Sequence, residues 1–332
     1  MIKLGLLGVG HLGKIHLKCL LAIDEIEVTG IFDKDQTIAQ SVAQTYNVRL
    51  FNSYEELLES SEAVDIVTPT STHFELAQQA IFLGKHVFIE KPLTDTVETA
   101  LALMDLQKKY PVKIQVGHVE RFNPAFQAIQ NIPLQPLFIE AHRLAMFNPR
   151  GTDVSVVLDL MIHDLDLVLY MVQSPLQSLS ASGVAVVSKQ LDIANVRLEF
   201  QNGCVANLTA SRISMKQMRK IRLFQKDAYL SLDLLEKKTE VVQLWNEDDP
   251  NRPSISMTLD TEEGKKYIGI QAPEVEKTNA IQMELSTFAN SILKDTIPVV
   301  TIEEGYNCLA LAHQIIEEIE RRKMSYGGFS DG

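Results

Sequence analysis

The first 120 residues alternate between short apolar runs and longer amphipathic stretches. A parallel sheet with a helix after each strand produces this order, because the crossover helices must cover the faces of the sheet. We therefore predict a doubly wound parallel sheet in an α/β domain over residues 1–120. The predicted strands are residues 4–7, 28–32, 64–67, 87–89 and 112–116, and the predicted helices include residues 13–22, 54–59, 72–83 and 95–109.

After about residue 120 the pattern changes to longer β-rich stretches. Turns such as Gln201-Asn202-Gly203 join these stretches without a helix, which favours antiparallel pairing. We predict an α+β domain over residues 121–325, a solvated loop or irregular hairpin at 246–279 and a flexible tail at 326–332. The predicted strands include residues 137–146, 176–187, 196–200, 205–212 and 220–224, and the predicted helices are residues 153–172, 280–293 and 303–322.

Composition narrows the class of protein. The chain has 332 residues and a net charge of −12, from 31 basic and 43 acidic residues, which argues against nucleic acid or an anionic membrane as the main partner. Cys19, Cys204 and Cys308 lie far apart and form no CxxC pair, so neither a disulfide framework nor a zinc site is predicted. A strand begins almost at the N-terminus, and no uncharged apolar stretch is long enough to span a bilayer. We expect a cytoplasmic protein.

A glycine loop follows the first predicted strand and leads into a helix, which is the context of a dinucleotide-binding fingerprint. The loop has the sequence Gly8-Val9-Gly10-His11-Leu12-Gly13. Gly8 permits the tight turn, Gly10 lets backbone N–H groups approach a pyrophosphate, and Gly13 lets the helix pack on the strand. The alternative interpretation is a glycine turn that binds no ligand.

The second predicted strand is followed by Asp33, 20 residues after Gly13. A carboxylate at this position accepts hydrogen bonds from the ribose hydroxyls of NAD and repels a 2′-phosphate, so NAD is favoured over NADP. Lys34 leaves NADP open, because a cation here would hold the extra phosphate.

Lys91 ends the fourth predicted strand, since Pro92 pushes it into an extended conformation and stops ladder pairing. Ligands bind at this edge of an open α/β sheet. An oxidised nicotinamide is positively charged, disfavours the ammonium form of a neighbouring lysine and suits that lysine to proton transfer. The alternative is a surface lysine that caps a strand.

Hydroxyl-bearing residues follow the third predicted strand in the run Thr68-Pro69-Thr70-Ser71-Thr72-His73. Pro69 stops the ladder, and the hydroxyls supply donors at the sheet edge where a nicotinamide ribose would lie. Ser71 or Thr72 also suits a helix N-cap. His73 is a candidate for catalysis, and its alternative role is packing in the first helical turn.

Asp159 and His163 are four residues apart on a predicted helix, so their side chains share one face. The carboxylate then orients the imidazole and stabilises its charged form, as in a general base. The alternatives are a structural ion pair and a metal site that also uses Asp164 or Asp166. No metal is predicted, because those two aspartates point elsewhere on a helix and no His or Cys cluster is near in sequence.

Several cationic residues of the second domain are candidates for binding an anionic substrate, and each is also interpretable as a solvated surface charge. They are Arg143, Arg150, Arg212, Lys216 and Arg219.

Taken together, these motifs resemble the Gfo/Idh/MocA oxidoreductase family over essentially the whole chain. The resemblance rests on the glycine loop, Thr68-Pro69 with His73, Glu90-Lys91-Pro92, the run from Gly117 to Pro124, and Asp159 with His163. It implies a Rossmann domain joined to a domain whose open sheet buries homodimer or homotetramer contacts. It also implies a catalytic triad of Lys91, Asp159 and His163. The expected cofactor contacts are Gly8, Gly10, His11, Leu12, Gly13, Asp33, Lys34, Thr68, Pro69, His73, Glu90, Lys91 and Arg121.

Within the family, the sequence around Arg143, Arg150 and Asp159 is similar to that of enzymes that oxidise C3 of UDP-N-acetylated hexosamines. We therefore expect NAD-dependent hydride transfer from a sugar ring hydroxyl. His163 would take the hydroxyl proton, Lys91 would hydrogen-bond the same oxygen, and Arg143, Arg150 and Arg212 would hold a diphosphate. The alternatives are an inositol or free-sugar dehydrogenase, a non-catalytic NAD(P)-sensing regulator and an NAD-assisted glycosidase.

Overall fold

The computed structural model describes residues 1–148, 154–250, 252, 256–262 and 264–325, with side chains up to residue 322. The chain divides into two compact units. Unit 1 comprises Met1–Phe122 and Asn279–Ala310, and unit 2 comprises Asn123–Thr278 and the described residues from Leu311. The expected flexible tail at 326–332 lies outside the described residues.

Unit 1 contains a five-stranded sheet in the order β2-β1-β3-β4-β5, with every neighbouring pair parallel. The strands are β1 (Ile2–Leu7), β2 (Ile26–Phe32), β3 (Ala63–Ile66), β4 (His86–Glu90) and β5 (Ile114–Gly117). The strand order reverses beside β1, and ligands of such sheets bind at the carboxyl ends of the strands next to this reversal. The predicted doubly wound parallel sheet is confirmed.

The helices of unit 1 alternate with these strands. They are α1 (His11–Leu20), α2 (Gln36–Tyr46), α3 (Tyr54–Glu59), α4 (His73–Phe82), α5 (Val97–Gln107) and α8 (Ala280–Leu293). Side-chain caps define several starts: the carboxylate of Asp35 accepts the N–H groups of Thr37 and Ile38 at the start of α2. Thr96 caps α5 in the same way.

Helix α8 packs in the core of unit 1, although it lies far along the chain. Leu285, Phe288 and Ala289 are buried in the same apolar cluster as Leu4 of β1 and Phe88 of β4. Because of this burial, residues 279–310 belong to unit 1 and not to unit 2. The expectation of one continuous domain over 121–325 therefore differs from the structure, because the apolar face of α8 is buried against the parallel sheet.

Unit 2 contains a nine-stranded sheet in the order β13-β14-β12-β11-β10-β6-β9-β8-β7. Only the β6–β9 pair is parallel, so the predicted, mostly antiparallel sheet is confirmed. The strands are β6 (Phe138–Leu144), β7 (Leu176–Val184), β8 (Ile193–Phe200), β9 (Val205–Ser211), β10 (Met218–Phe224), β11 (Ala228–Asp233), β12 (Lys238–Asn246), β13 (Met257–Thr261) and β14 (Gly264–Gln271).

Alternation of buried and exposed residues gives this sheet one apolar face. In β8, Ala194, Val196, Leu198 and Phe200 are buried while the residues between them are more exposed, as the two-residue period of a strand requires. Unit 2 also contains the helices α6 (Pro124–Gln127) and α7 (Ile162–Val172), and α9 (Ile302–Ser325) begins in unit 1 and ends in unit 2. None of the helices in the described ranges combines the length and hydrophobicity that crossing a bilayer requires.

Candidate active site

Steric contacts explain the glycines of the loop between β1 and α1. Gly8 has φ of +85°, and a Cβ there would lie 2.6 Å from the carbonyl oxygen of Val67. A Cβ on Gly13 would lie 2.0 Å from the carbonyl oxygen of Gly8. A Cβ on Gly10 would meet no atom within 4 Å, which leaves open space before α1. Because no described side chain caps this helix, its first N–H groups are available to a pyrophosphate.

A cavity of about 1220 Å³ lies at the carboxyl ends of the strands of unit 1. Its volume exceeds the roughly 300–1,000 Å³ of sites for drug-sized ligands and suits a dinucleotide. Most of the expected cofactor contacts line it. These residues are Gly8, Gly10, His11, Leu12, Asp33, Lys34, Thr68, Pro69, Glu90 and Lys91.

The carboxylate of Asp33 is fixed just after β2. Its Oδ2 accepts the N–H of Val9 at 2.7 Å, and its Oδ1 accepts the N–H of Asp35 at 2.9 Å. These bonds hold a negative charge beside the glycine loop, at the cavity wall. Lys34, which is exposed, lines the cavity next to it.

Glu90 is the last residue of β4, and the half-buried Lys91 follows it. The Oε2 of Glu90 accepts the backbone N–H of Lys91 at 3.1 Å. In the sheet Glu90 pairs with Gly117 of β5, where a Cβ would lie only 2.8 Å from the Oε1 of Glu90. Gly117 thus makes room for the carboxylate at the edge of the cavity.

His16 and Asp65 lie behind Glu90, and the sequence analysis did not identify either. Nδ1 of His16 is 2.8 Å from Oδ2 of Asp65, and Nε2 of His16 is 3.2 Å from Oε1 of Glu90. All three residues are buried. A histidine and an aspartate within apolar elements of the glycine-loop domain were the signal that could have revealed them, because buried ionisable groups need partners.

His73 holds two loops together instead of lining the cavity. Its Nδ1 lies 3.0 Å from the carbonyl oxygen of Pro92, and its Nε2 lies 3.0 Å from that of Thr68. Burial lowers the pKa of His73, although these carbonyls oppose the shift. The described contacts therefore support the packing alternative.

Arg121 also has a different environment from the one expected. It is buried, and its Nη2 donates to Oε1 of Glu304 at 3.2 Å. Glu304 is fixed in turn by the N–H and hydroxyl of Thr301. This arrangement is an ion pair inside unit 1, and Arg121 is not among the residues that line the described cavity.

Asp159 and His163 lie on one continuous helical segment of unit 2. Asp159 belongs to a π-helical turn, Val157–Met161, and His163 is the second residue of α7. Both are half-buried. The predicted helix over 153–172 is therefore widened at its start, and such π turns are frequent at functional sites.

Two arginines expected to bind substrate form internal contacts instead. Nε and Nη2 of Arg143 donate to the two carboxylate oxygens of Asp164 at 2.9 and 2.8 Å, and both residues are buried. Nη2 of Arg212 donates to the carbonyl oxygen of Val154 at 2.6 Å. Burial and these bonds correct the expectation of accessible anion-binding cations at both positions. Arg150 lies outside the described residues.

No group of three or more His, Cys, Asp or Glu side chains in the described part of the chain is arranged to hold a metal ion. Asp164, a possible ligand in the metal alternative, is instead bonded to Arg143.

Two family models match this chain, one in the parallel-sheet region and one in the region of the large mixed sheet. Residues 2–118 match the model of an oxidoreductase family with an NAD-binding Rossmann fold, and residues 139–230 match the Gfo/Idh/MocA C-terminal domain. The chain belongs to the Gfo/Idh/MocA family. It is therefore an oxidoreductase that uses a nicotinamide cofactor, and the open space before α1 and the adjoining cavity fit that cofactor.

A relative within this family is similar over nearly the full chain. UDP-N-acetylglucosamine 3-dehydrogenase of Acidithiobacillus ferrooxidans is 35% identical over 96% of this chain and 97% of its own length. The solved structure of that enzyme, GnnA, superposes with a TM-score of 0.87 over 96% of this chain and 98% of that chain. The scyllo-inositol 2-dehydrogenase (NAD(+)) of Bacillus subtilis is 29% identical over 64% of this chain and 68% of its own length.

Proposed function

We propose that this enzyme oxidises the C3 hydroxyl of a UDP-N-acetylated hexosamine with NAD as the hydride acceptor. The observation that carries the proposal is 35% identity with UDP-N-acetylglucosamine 3-dehydrogenase over 96% of the chain. Similarity of this extent includes the second unit, where the substrate-binding parts of the family are expected, and is not confined to the Rossmann domain. The scyllo-inositol 2-dehydrogenase of Bacillus subtilis is 29% identical over 64% of the chain, and the myo-inositol 2-dehydrogenase of Thermotoga maritima matches 97% of the chain at 23% identity.

In unit 1, Lys91 is proposed to act on the reacting oxygen. The bound nicotinamide supplies the hydride acceptor. Lys91 lies at the edge of the cavity, half-buried, directly after the strand that ends at Glu90. Its ammonium group would donate a hydrogen bond to the hydroxyl oxygen and stabilise the negative charge that develops there.

In unit 2, His163 is proposed as the general base, with Asp159 as the residue that orients it. The two residues are four positions apart on the segment that runs from the π turn into α7. His163 would take the proton from the sugar hydroxyl, and the carboxylate of Asp159 would stabilise the resulting imidazolium.

NAD is proposed over NADP because of the fixed carboxylate of Asp33. Hydrogen bonds from two backbone N–H groups orient the carboxylate of Asp33 beside the glycine loop. There it would accept hydrogen bonds from the ribose hydroxyls and repel a 2′-phosphate. The neighbouring Lys34 is the feature that would favour NADP. Dissociation constants for both cofactors test this choice, and tighter binding of NADP would contradict it.

Turnover on a substrate panel tests the function. The protein is mixed with NAD and, separately, with UDP-N-acetylglucosamine, free N-acetylglucosamine, and myo- and scyllo-inositol, and reduced nicotinamide is followed by absorbance. We expect reduction with the nucleotide sugar. Reduction with an inositol but not with the nucleotide sugar would reassign the enzyme to polyol oxidation. Binding of NAD without its reduction by any substrate of the panel would favour the regulator alternative.

A homodimer or homotetramer formed through the sheet of unit 2 is proposed as the assembly. Strands β8 and β9 carry partly or fully exposed residues at alternate positions, and in β7 only Ala181 is buried, which leaves one face of this region accessible in the single chain. Light scattering coupled to size-exclusion chromatography measures the mass directly. A monomer at micromolar concentration would contradict the proposal.

A further inference from the structure

Three ionisable side chains from separate elements meet in the interior of unit 1. His16 comes from α1, Asp65 from β3 and Glu90 from the end of β4. The imidazole lies between the two carboxylates, with Nδ1 2.8 Å from Asp65 and Nε2 3.2 Å from Glu90. We call these three residues the His16 network. His16 and Asp65 are fully buried, and only Glu90 reaches the cavity wall.

The two carboxyl groups of the His16 network have pKa values shifted in opposite directions. Burial alone would lower the pKa of His16, but Asp65 and Glu90 outweigh burial and raise it well above its usual value. Burial raises the pKa of Asp65 despite the nearby imidazole. Burial would raise the pKa of Glu90, but His16 and Lys91 outweigh burial and lower it. Glu90, the member that lines the cavity, is thus the group held most firmly as a carboxylate.

Asp33 follows β2 and Glu90 ends β4, and since β1 and β3 lie between these strands in the sheet, Asp33 and Glu90 line opposite sides of the cavity. A dinucleotide with its adenosine ribose at Asp33 and its pyrophosphate at the glycine loop has its nicotinamide directed toward the ends of β3 and β4, where Thr68, Glu90 and Lys91 lie. Two cations then occupy this end, the ammonium of Lys91 and the oxidised nicotinamide ring. Their mutual repulsion weakens binding unless an anion is close to both.

We propose that the His16 network holds the charge of Glu90 at the nicotinamide end of the cavity and thereby makes the site favour the oxidised, positively charged cofactor over the neutral reduced one. In this account His16 and Asp65 are positioning residues that act through Glu90. The inference rests on the nicotinamide cofactor of the proposed function, placed as described above, and it is independent of which sugar is oxidised.

Other titratable groups near the network do not supply this charge. His73 and Lys91 face Glu90, and Cys19 lies beside His16 on the same helix. Burial lowers the pKa of His73 and raises that of the Cys19 thiol, so both are neutral near pH 7. Lys91 is a cation. Glu90 is therefore the anion of this cluster that faces the cavity.

The first experiment replaces the charge with its neutral isostere, Glu90→Gln. Dissociation constants for NAD and NADH are measured by calorimetry without any sugar. We expect the preference for NAD over NADH to fall about tenfold, which corresponds to the loss of one partly screened ionic attraction. An unchanged preference in the folded variant would overturn the proposal. Because no substrate is present, this result stands whether or not a nucleotide sugar is oxidised.

The second experiment tests the role of His16 through pH. In the wild type the lowered pKa of Glu90 keeps its carboxylate charged, so the preference for NAD should stay constant from pH 8 to pH 6. In His16→Gln the imidazolium is lost, burial raises the pKa of Glu90, and the preference should fall as the pH is lowered. Phe88→Leu is the control, because Phe88 packs edge-on against the His16 ring with centroids 5.9 Å apart but carries no charge. Identical pH profiles for both variants would overturn the role of His16.

A measurement on the wild type avoids variants that fail to fold. Nitrogen chemical shifts of the histidine rings report protonation directly in protein labelled with ¹⁵N-histidine. We expect the His16 ring, assigned through its contact with the Phe88 ring, to carry protons on both nitrogens at pH 7.5. A neutral His16 ring at that pH would overturn the proposal.

Discussion

Two buried ion pairs, one in each unit, differ in what surrounds them. In unit 2, Arg143 and Asp164 form two parallel hydrogen bonds, and their side chains are 3% and 4% exposed. In unit 1, His16 is fully buried, whereas its partner Glu90 lies at a cavity wall. The first pair has its donors and acceptors directed at each other, and the second directs one charge toward a ligand. We call a buried pair closed when both of its members lie inside the unit, away from any cavity. We infer that a closed pair mainly affects the free energy of unfolding, whereas a pair with one member at a cavity wall mainly affects ligand binding.

The largest expected effect tests the closed pair. Arg143→Met should lower the free energy of unfolding by about 3–5 kcal/mol, because it leaves the carboxylate of Asp164 buried without its cation. Urea denaturation measures the loss. The control is Arg222→Met, since Arg222 forms a partly exposed pair with Glu140 and should cost less than about 1 kcal/mol. Equal losses in the two variants would contradict the closed-pair account.

The next effect tests a charge at the cavity. Lys91→Met should lower kcat by about 10²–10³-fold, because the reacting oxygen loses its hydrogen-bond donor. Its free energy of unfolding should change far less than that of Arg143→Met. Lys113→Met, which removes a lysine paired with the exposed Asp295, is the control and should keep wild-type kcat. A Lys91→Met variant with wild-type kcat would remove Lys91 from the mechanism.

A third effect concerns the pH dependence of stability that the buried carboxylate of Asp192 in unit 2 produces. Burial would raise the pKa of Asp192, but the N–H groups of Val186, Val187 and Ser188 outweigh it and lower the pKa to about 2. A lowered pKa contributes stability above the unfolded value, and this contribution, about 2 kcal/mol, is lost as the pH falls from about 4 to about 2. Asp192→Asn should lack this part of the acid dependence. Parallel acid curves for variant and wild type would contradict it.

The smallest effect separates packing from charge in unit 1. Gly117→Ala places a methyl group 2.8 Å from Oε1 of Glu90, so the carboxylate must move. We expect NAD binding to weaken by about threefold to tenfold, from a displaced charge. Gly305→Ala is matched to it, because its methyl group would meet Val116 at 2.6 Å in the same unit without touching Glu90. Equal losses of NAD affinity in both variants would attribute the effect to packing.

Local signals were sufficient to predict much of the fold. The apolar runs predicted all five strands of unit 1, β1 to β5, and the helix predicted at 280–293 matches Ala280–Leu293. Helix α2 was missed because its Gln, Ser and Thr residues weaken the apolar periodicity, although Asp35 was available as its cap. The placement of α8 in unit 1 depends on contacts with strands more than 150 residues away, which local periodicity does not contain.

The candidate site was predicted where it consists of contiguous motifs. The glycine loop, Asp33 and Glu90-Lys91 converge on one cavity because parallel strands end at one edge. His16 and Asp65 were missed, since they are 49 residues apart and meet only in the folded sheet. Arg143 and Arg212 were assigned to substrate because the sequence does not reveal that an arginine is buried and already bonded.

Isotope transfer tests the central claim most directly. UDP-N-acetylglucosamine carrying deuterium at C3 is incubated with the protein and NAD, and the reduced cofactor is analysed by mass spectrometry. Oxidation at C3 predicts reduced cofactor that carries one deuterium per molecule. Reduced cofactor without deuterium would contradict oxidation at C3, and the absence of reduced cofactor would contradict the proposed substrate.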